Sequence, residues 1–176
     1  MPGPMTELIQ NVTIYTDGGC LGNPGPGGYG VVLRFGKHRK KLSGGFRLTT
    51  NNRMELMAAI VGLETLTAPC EVTLTSDSKY LVDAMTKGWV TRWKANGWRR
   101  NKKDKAVNVD LWERLLAACG DHEVAFQWVK GHAGHADNET CDVLAKKAAA
   151  EQNLPRDEGY EQATTPAAGP TANLFG

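Results

Sequence analysis

The stretch that most limits what this chain can fold into is "YTDGGCLGNPGPGGYG", Tyr15 to Gly30. It sits between two runs that read as β-strands, "NVTIYTD" (Asn11–Asp17) and "GVVLRF" (Gly30–Phe35). A helix has no place in so short a gap, so the two strands should pair antiparallel as a hairpin. The glycines do not match a phosphate-cradling nucleotide loop, because the Gly-Lys-Ser/Thr ending is missing. A dinucleotide fingerprint needs a helix directly after its glycines, and here a strand follows. Two readings remain open on this stretch alone. Either Asp17 begins a plain turn, or it is an acid held at the end of a strand for chemistry, with the glycines turning the chain away just after it.

A third strand, "KKLSGGFRL" (Lys40–Leu48), extends the antiparallel set. The pattern then changes period. "NNRMELMAAIVGLETL" (Asn51–Leu66) reads as a helix, with Met54, Met57, Ala58 and Val61 as its buried stripe. "EVTLTSD" (Glu71–Asp77) is a fourth strand, followed by a short helix at Ser78–Thr86. The next tract holds one more short helix and a loop. "NVDLWERLLAACG" (Asn108–Gly120) is a helix with a glycine stop. "EVAFQWV" (Glu123–Val129) is a fifth strand, and "ADNETCDVLAKKAAAE" (Ala136–Glu151) a final helix. Three strands followed by alternating helix and strand predict an α/β fold with a mixed sheet. From about Leu154 the composition turns to Pro, Ala, Gly and Thr and reads as a disordered tail. The expected organisation is a flexible start over residues 1–10, one catalytic domain over 11–152 and a tail over 153–176.

Four acids stand out by position. Asp17 and Asp77 both end β-rich runs, where ligand sites of α/β sheets form. Two carboxylates on neighbouring strand tips repel unless a cation lies between them. Glu55 has a plain explanation as the last member of an Asn52-x-x-Glu55 capping box. It also shares a helical stripe with the small Ala59 and Gly62, which would bring the helix close to the sheet and Glu55 over the strand ends. Asp142 lies in the last helix, either solvated or turned inward. Just before it, in "VKGHAGH", His132 occupies a glycine-flanked loop that suits a mobile proton carrier. A zinc site from His132, His135 and Cys141 is the weaker alternative, since no paired CxxC exists. A set of oxygen donors with few soft ligands favours magnesium or manganese.

Charge points the same way. Between Lys87 and Lys105 there are eight Lys/Arg and a single acid, Asp104, so this segment carries +7. The chain as a whole carries +2, which leaves −5 for everything else. Trp89, Trp93 and Trp98 interleave with these cations. A merely solvated face has little use for three tryptophans. Part of their surface should hold the element to the body while the cations reach the phosphates of a polyanion. The hydrophobic share of 41% is ordinary for a globular domain, and no apolar run approaches the roughly 20 residues of a membrane helix. The N-terminus has no signal pattern, and Cys20, Cys70, Cys119 and Cys141 are scattered. Reduced thiols in a cytoplasm are therefore expected.

Taken in order, "YTDGGCLGNPGPGGYG", "TTNNRMELMAAI", "TSDSKY", "NVDLW" and "WVKGHAGHADNETCDVLA" resemble bacterial ribonuclease H of type 1, over roughly Asn11 to Ala150. The resemblance implies the ribonuclease H fold, with three antiparallel strands and then two parallel ones, flanked by helices. It implies a monomeric endonuclease that cuts the RNA strand of RNA–DNA hybrids and leaves 5′-phosphate and 3′-hydroxyl ends. Carried over by position, the family's catalytic acids fall on Asp17, Glu55, Asp77 and Asp142, and its loop histidine on His132. Two magnesium ions per site are implied, replaceable by manganese. Asp17 would bridge both, Asp77 and Asp142 would each favour one side, and Glu55 would complete the set. The hybrid-gripping protrusion falls on residues 87–105, with Trp89, Trp93, Trp98, Arg99, Arg100, Lys102 and Lys103 as its contacts. Asn23, Thr50, Asn51 and Asn52 match hybrid contacts and Asn108 a DNA-phosphate contact, while Gly18 and Cys20 become part of the substrate wall. Lys79 stands where many members carry glutamine. Leu48 stands where many carry an arginine; the arginine here is Arg47, which on a strand faces the other way. A resolvase or transposase core of related fold, or a catalytically dead hybrid-binding module, are the competing readings. The basic tract speaks against the first and the four acids against the second. The tail tip, Leu174 and Phe175, could dock a replication protein, with an inert end as the plainer reading.

Overall fold

In the computed structural model, which describes residues 10–164, three strands follow one another before any helix forms. These are β1 (Gln10–Cys20), β2 (Gly25–Phe35) and β3 (His38–Thr49), and both pairings are antiparallel. Helix α1 (Asn51–Glu64) leads to β4 (Cys70–Ser76), which lies parallel to β1, and β5 (Glu123–Trp128) lies parallel to β4. The sheet order is β3-β2-β1-β4-β5. Between β4 and β5 come α2 (Lys79–Thr86), α3 (Trp89–Ala95) and α4 (Val109–Cys119); α5 (Ala136–Ala149) and α6 (Glu158–Thr164) complete the described chain. The mixed five-stranded sheet is therefore as expected from the sequence. No helix among the described residues is long and apolar enough to cross a membrane.

The strand alternation divides the chain between two helical layers. Ile14, Val31 and Leu33 point toward α1, where they meet Leu56, Ile60 and Leu63 in a closed core. Trp112 and Leu115 of α4 extend this core and are fully buried. Each such side chain contributes about 1.5–3 kcal/mol through removal from water. Gly62 lets α1 sit low on the sheet, since a Cβ there would come within 2.9 Å of Ile14. On the opposite face, α5 lies across β1 and β2. Side chains at Gly28 and Gly30 would collide with the carbonyls of Ala145 and Cys141.

Several expectations need correction. The glycines after Asp17 do not turn the chain away: β1 continues through Gly18 and Gly19 to Cys20, and β2 resumes at Gly25. Gly18 is a strand residue without a side chain because α1 rests on it, while Gly22, in the turn, has the positive φ of 82° that favours glycine. The buried side of α1 keeps only half of the Met54–Met57–Ala58–Val61 stripe, since Met54 and Ala58 are buried. Met57 and Val61 are half-buried, and Leu56, Ala59, Ile60 and Leu63 face inward, because α1 is covered by α4 as well as by the sheet. The chain beyond Leu154 is not wholly a loose tail. It forms α6 and buries Asp157 against the body. Leu174 and Phe175 lie outside the described residues.

Candidate active site

Parallel pairing of β1 with β4 sets Thr16 opposite Ser76, so Asp17 and Asp77 emerge side by side at one end of the sheet. Asp77 follows the last residue of β4 and is steadied through its backbone: the Trp128 indole N–H donates to its carbonyl at 3.1 Å. Gly131 leaves room for the Asp77 carboxylate, since a Cβ there would lie 2.7 Å from Oδ2. Glu55 arrives from the second turn of α1. Gly18 makes this possible, because any side chain there would strike the backbone of Met54 and Glu55. The Asn52 capping box does not form. Thr50 is the N-cap, and its hydroxyl accepts from the Arg53 N–H at 3.3 Å. Glu55 is thus free of the cap and turned inward. Asp142 comes from α5 and lines the same cleft, near enough for its charge to act on Asp17.

The four acids and His132 line one cleft of about 460 Å³, together with Gly18, Cys20 and Asn51. Among the described residues, Asp17, Glu55 and Asp77 form the group that offers oxygens within 4.8 Å of one another. Crowding shows in their protonation. Burial, then the charges of Asp77 and Asp142, push Asp17 up to about 7. Glu55 rises well above the usual carboxylate range, through burial first and then Asp17 and Asp77. Asp77 rises through burial and Asp142, with its own backbone and His132 opposing. Glu55 Oε2 is buried without a hydrogen-bond partner. An orphaned oxygen beside mutually repelling carboxylates fits a hard divalent cation, which would satisfy the one and relieve the other. The zinc alternative does not assemble: Cys141 is buried, with its thiol on the Tyr15 carbonyl at 3.2 Å.

The turn at 21–24 is stitched to α1. Asn51 Oδ1 accepts from the Cys20 N–H at 2.8 Å, and Asn23 Oδ1 accepts from the Asn51 N–H at 3.0 Å. Asn52 stays exposed. Asn108 adopts a left-handed backbone at the start of α4 and donates to Tyr80 Oη at 3.1 Å. Lys79 lies over the Trp128 ring at 4.9 Å. The basic tract is anchored as the sequence suggests. Trp89, Trp93 and Trp98 pack against the core, and Trp93 meets Trp112 edge-on at 6.0 Å. Arg99, Arg100, Lys102 and Lys103 project into solvent from a loop closed by the Arg99–Lys105 bridge. Arg47 does face away from the site and pairs with Glu161 of α6, while Leu48 is exposed. Sequence reasoning missed Lys146, which lines the cleft and pairs with Asp142 at 3.0 Å. Its signal was the i,i+4 spacing from Asp142. It also missed Arg53, buried between Asp110 and Asp157.

The RNase H family profile matches residues 9–150. The chain belongs to the RNase H family. Among curated relatives, Ribonuclease H of Rippkaea orientalis is 67% identical over 157 residues, covering 89% of this chain and 96% of that protein. Ribonuclease H of Syntrophus aciditrophicus is 65% identical, covering 86% and 87%. These bear out the resemblance to the bacterial type 1 enzymes, and this member is accordingly a ribonuclease. Among solved structures, LC9-RNase H1, a type 1 RNase H with the type 2 active-site motif, superposes with a TM-score of 0.74 at 35% identity, covering 89% of this chain and 82% of that one. LC11-RNase H1 in complex with RNA/DNA hybrid gives a TM-score of 0.59 at 25% identity, covering 78% and 96%.

Proposed function

We propose that this enzyme is an endonuclease that hydrolyses the RNA strand of RNA–DNA hybrids, leaving 5′-phosphate and 3′-hydroxyl ends with little sequence preference. The observation that carries the reading is the meeting of four carboxylates from β1, α1, β4 and α5 in one cleft, with Glu55 orphaned and Asp17 held up to about 7. Burying that much like charge serves no purpose in a mere scaffold. The related LC11-RNase H1, solved with an RNA/DNA hybrid, supports the substrate.

Asp17, Glu55, Asp77 and Asp142 would hold magnesium, two ions per site when substrate is bound, with manganese as a substitute. Such an ion supplies positive charge to the reacting phosphate and makes a water acidic enough to attack. Asp17, between the other acids, is the residue on which the metal set depends most. Glu55 stands beside Gly18, where it can also test for a 2′-hydroxyl and so tell RNA from DNA. His132, beside Asp77 on a loop, is placed to carry a proton away. Gly18, Cys20, Asn23, Asn51 and Asn52 form a low wall for the hybrid. Thr50 and Asn108 lie toward the DNA strand, and Lys79 toward the RNA strand. The protrusion, with its three tryptophans and Arg99, Arg100, Lys102 and Lys103, grips phosphates and sugars. Backbone contacts carry no base information, hence the lack of sequence preference.

The test is cleavage of a labelled RNA–DNA hybrid with magnesium by the wild type and by Asp17→Asn. The wild type should cut the RNA strand alone, and the variant should lose at least about 10³-fold in rate. An inert wild type would reject the activity. A fully active variant would reject the metal assignment.

A further inference from the structure

We infer that Lys146 latches Asp142 to the wall of the cleft and competes with the divalent cation for that carboxylate. The inference rests on the metal reading above. The side of α5 that faces the cleft consists of Asp142, Ala145, Lys146 and Ala149. Two of these are alanines, so Lys146 is the one long side chain on this wall. Its direction is set by the close seat of α5 on the sheet, where Cys141, Ala145 and Ala149 lie against Gly28 and Gly30. Lys146 Nζ meets Asp142 Oδ2 at 3.0 Å.

The position of Asp142 agrees with such a latch. It lines the same cleft as Asp17, yet it stands apart from the three acids whose oxygens lie within 4.8 Å of one another. Of the residues lining the cleft, Lys146 alone carries a permanent positive charge. It supplies part of the charge that four carboxylates lack when no ion is bound. An ion that takes Oδ2 of Asp142 displaces the ammonium, and one that takes the other oxygen still meets its positive charge. The lysine side chain is 67% exposed, and an exposed i,i+4 pair alone gives about a twofold bias. The field of the other acids adds to it, so the latch holds the free site together and still yields to metal.

The experiment is magnesium titration of the substrate-free protein by calorimetry, with Lys146→Met and Lys146→Arg beside the wild type. Magnesium-induced shifts in Tm give a second reading. Lys146→Met should bind magnesium about two- to fivefold tighter and gain more in Tm from it, and Lys146→Arg should stay near wild type. Unchanged or weaker binding by Lys146→Met overturns the latch. A wild type that binds no divalent cation overturns instead the metal reading beneath it.

Discussion

A buried carboxylate pushed from 3.8 up to about 7 binds a proton in the folded, metal-free protein over a range where the unfolded chain has released it. The sign follows: between about pH 4 and 7 the folded state holds more protons, so stability falls as pH rises through that window and levels off above it. Glu55 and Asp77 are raised and act in the same direction. Asp110, Asp137 and Glu161 are lowered by their arginines, and their contribution is lost only as pH falls below the ordinary carboxylate range. Melting in the presence of a chelator should therefore show a lower Tm at pH 7.5 than at pH 5.5, and magnesium should restore it chiefly at the higher pH. A metal-free Tm that is flat or rising across this window would contradict the crowding of the acids. Asp17→Asn should flatten the profile and stabilise the metal-free protein at pH 7.5 by about 1–2 kcal/mol while removing activity, a trade of function for stability.

The segment after α5 shows how one element can be held by a few polar contacts rather than by an apolar face. Arg53 of α1 is 3% exposed and donates to both Asp157 and Asp110. Asp157 also accepts from the buried Thr49 hydroxyl at 2.6 Å, and the Arg47 N–H donates to the Pro155 carbonyl at 2.9 Å. Removing one partner of a buried charge leaves the other uncompensated, at about 3–5 kcal/mol. Arg53 would keep the half-exposed Asp110, so Asp157→Ala should cost about 3 kcal/mol in urea unfolding. Glu161→Ala, which breaks pairs with two exposed arginines, Arg47 and Arg156, should cost about 1 kcal/mol or less. Equal losses would mean that α6 docks by area and not through Arg53. This segment was illegible in the sequence for the same reason: Arg53 and Asp157 are 104 positions apart, and α6 buries no residue of its own. Periodic apolar runs and short gaps did reveal the five strands and the order of helices, because those signals are local. Strand ends at Gly18, Gly27 and Gly28 were hidden, since a glycine's turn propensity says nothing of the helix that rests on it. Asp17 and Asp77 were legible as neighbouring acids, though only Asp77 follows a strand end; β1 runs on past Asp17 to Cys20 and only its pairing with β4 stops there. Glu55 was obscured by a capping pattern that Thr50 satisfies instead.

At the scale of the molecule, a net charge of +2 conceals two opposed regions: an acidic cleft whose charge suits cations and a tract of +7 whose charge suits phosphates. They sit on different elements, so metal binding and substrate grip can be separated by mutation. The tryptophans fix the tract to the core through Trp112, and the four outward cations take no part in that packing. Changing Arg99, Arg100, Lys102 and Lys103 to Gln should therefore leave Tm within about 1 °C, because surface substitutions away from packing change stability little. It should raise KM for a hybrid with kcat nearly unchanged, since the lost contacts act on ground state and transition state alike. The clearest measure is salt. Each phosphate contact contributes about 0.9 to the slope of log affinity against log salt for B-form DNA, and a hybrid should behave similarly. A variant that has lost contacts should show a shallower slope, by up to about 3–4 if all four cations reach phosphates. An unchanged slope with an unchanged KM would mean that the hybrid passes the cleft without touching the tract, and that the charge asymmetry serves another partner.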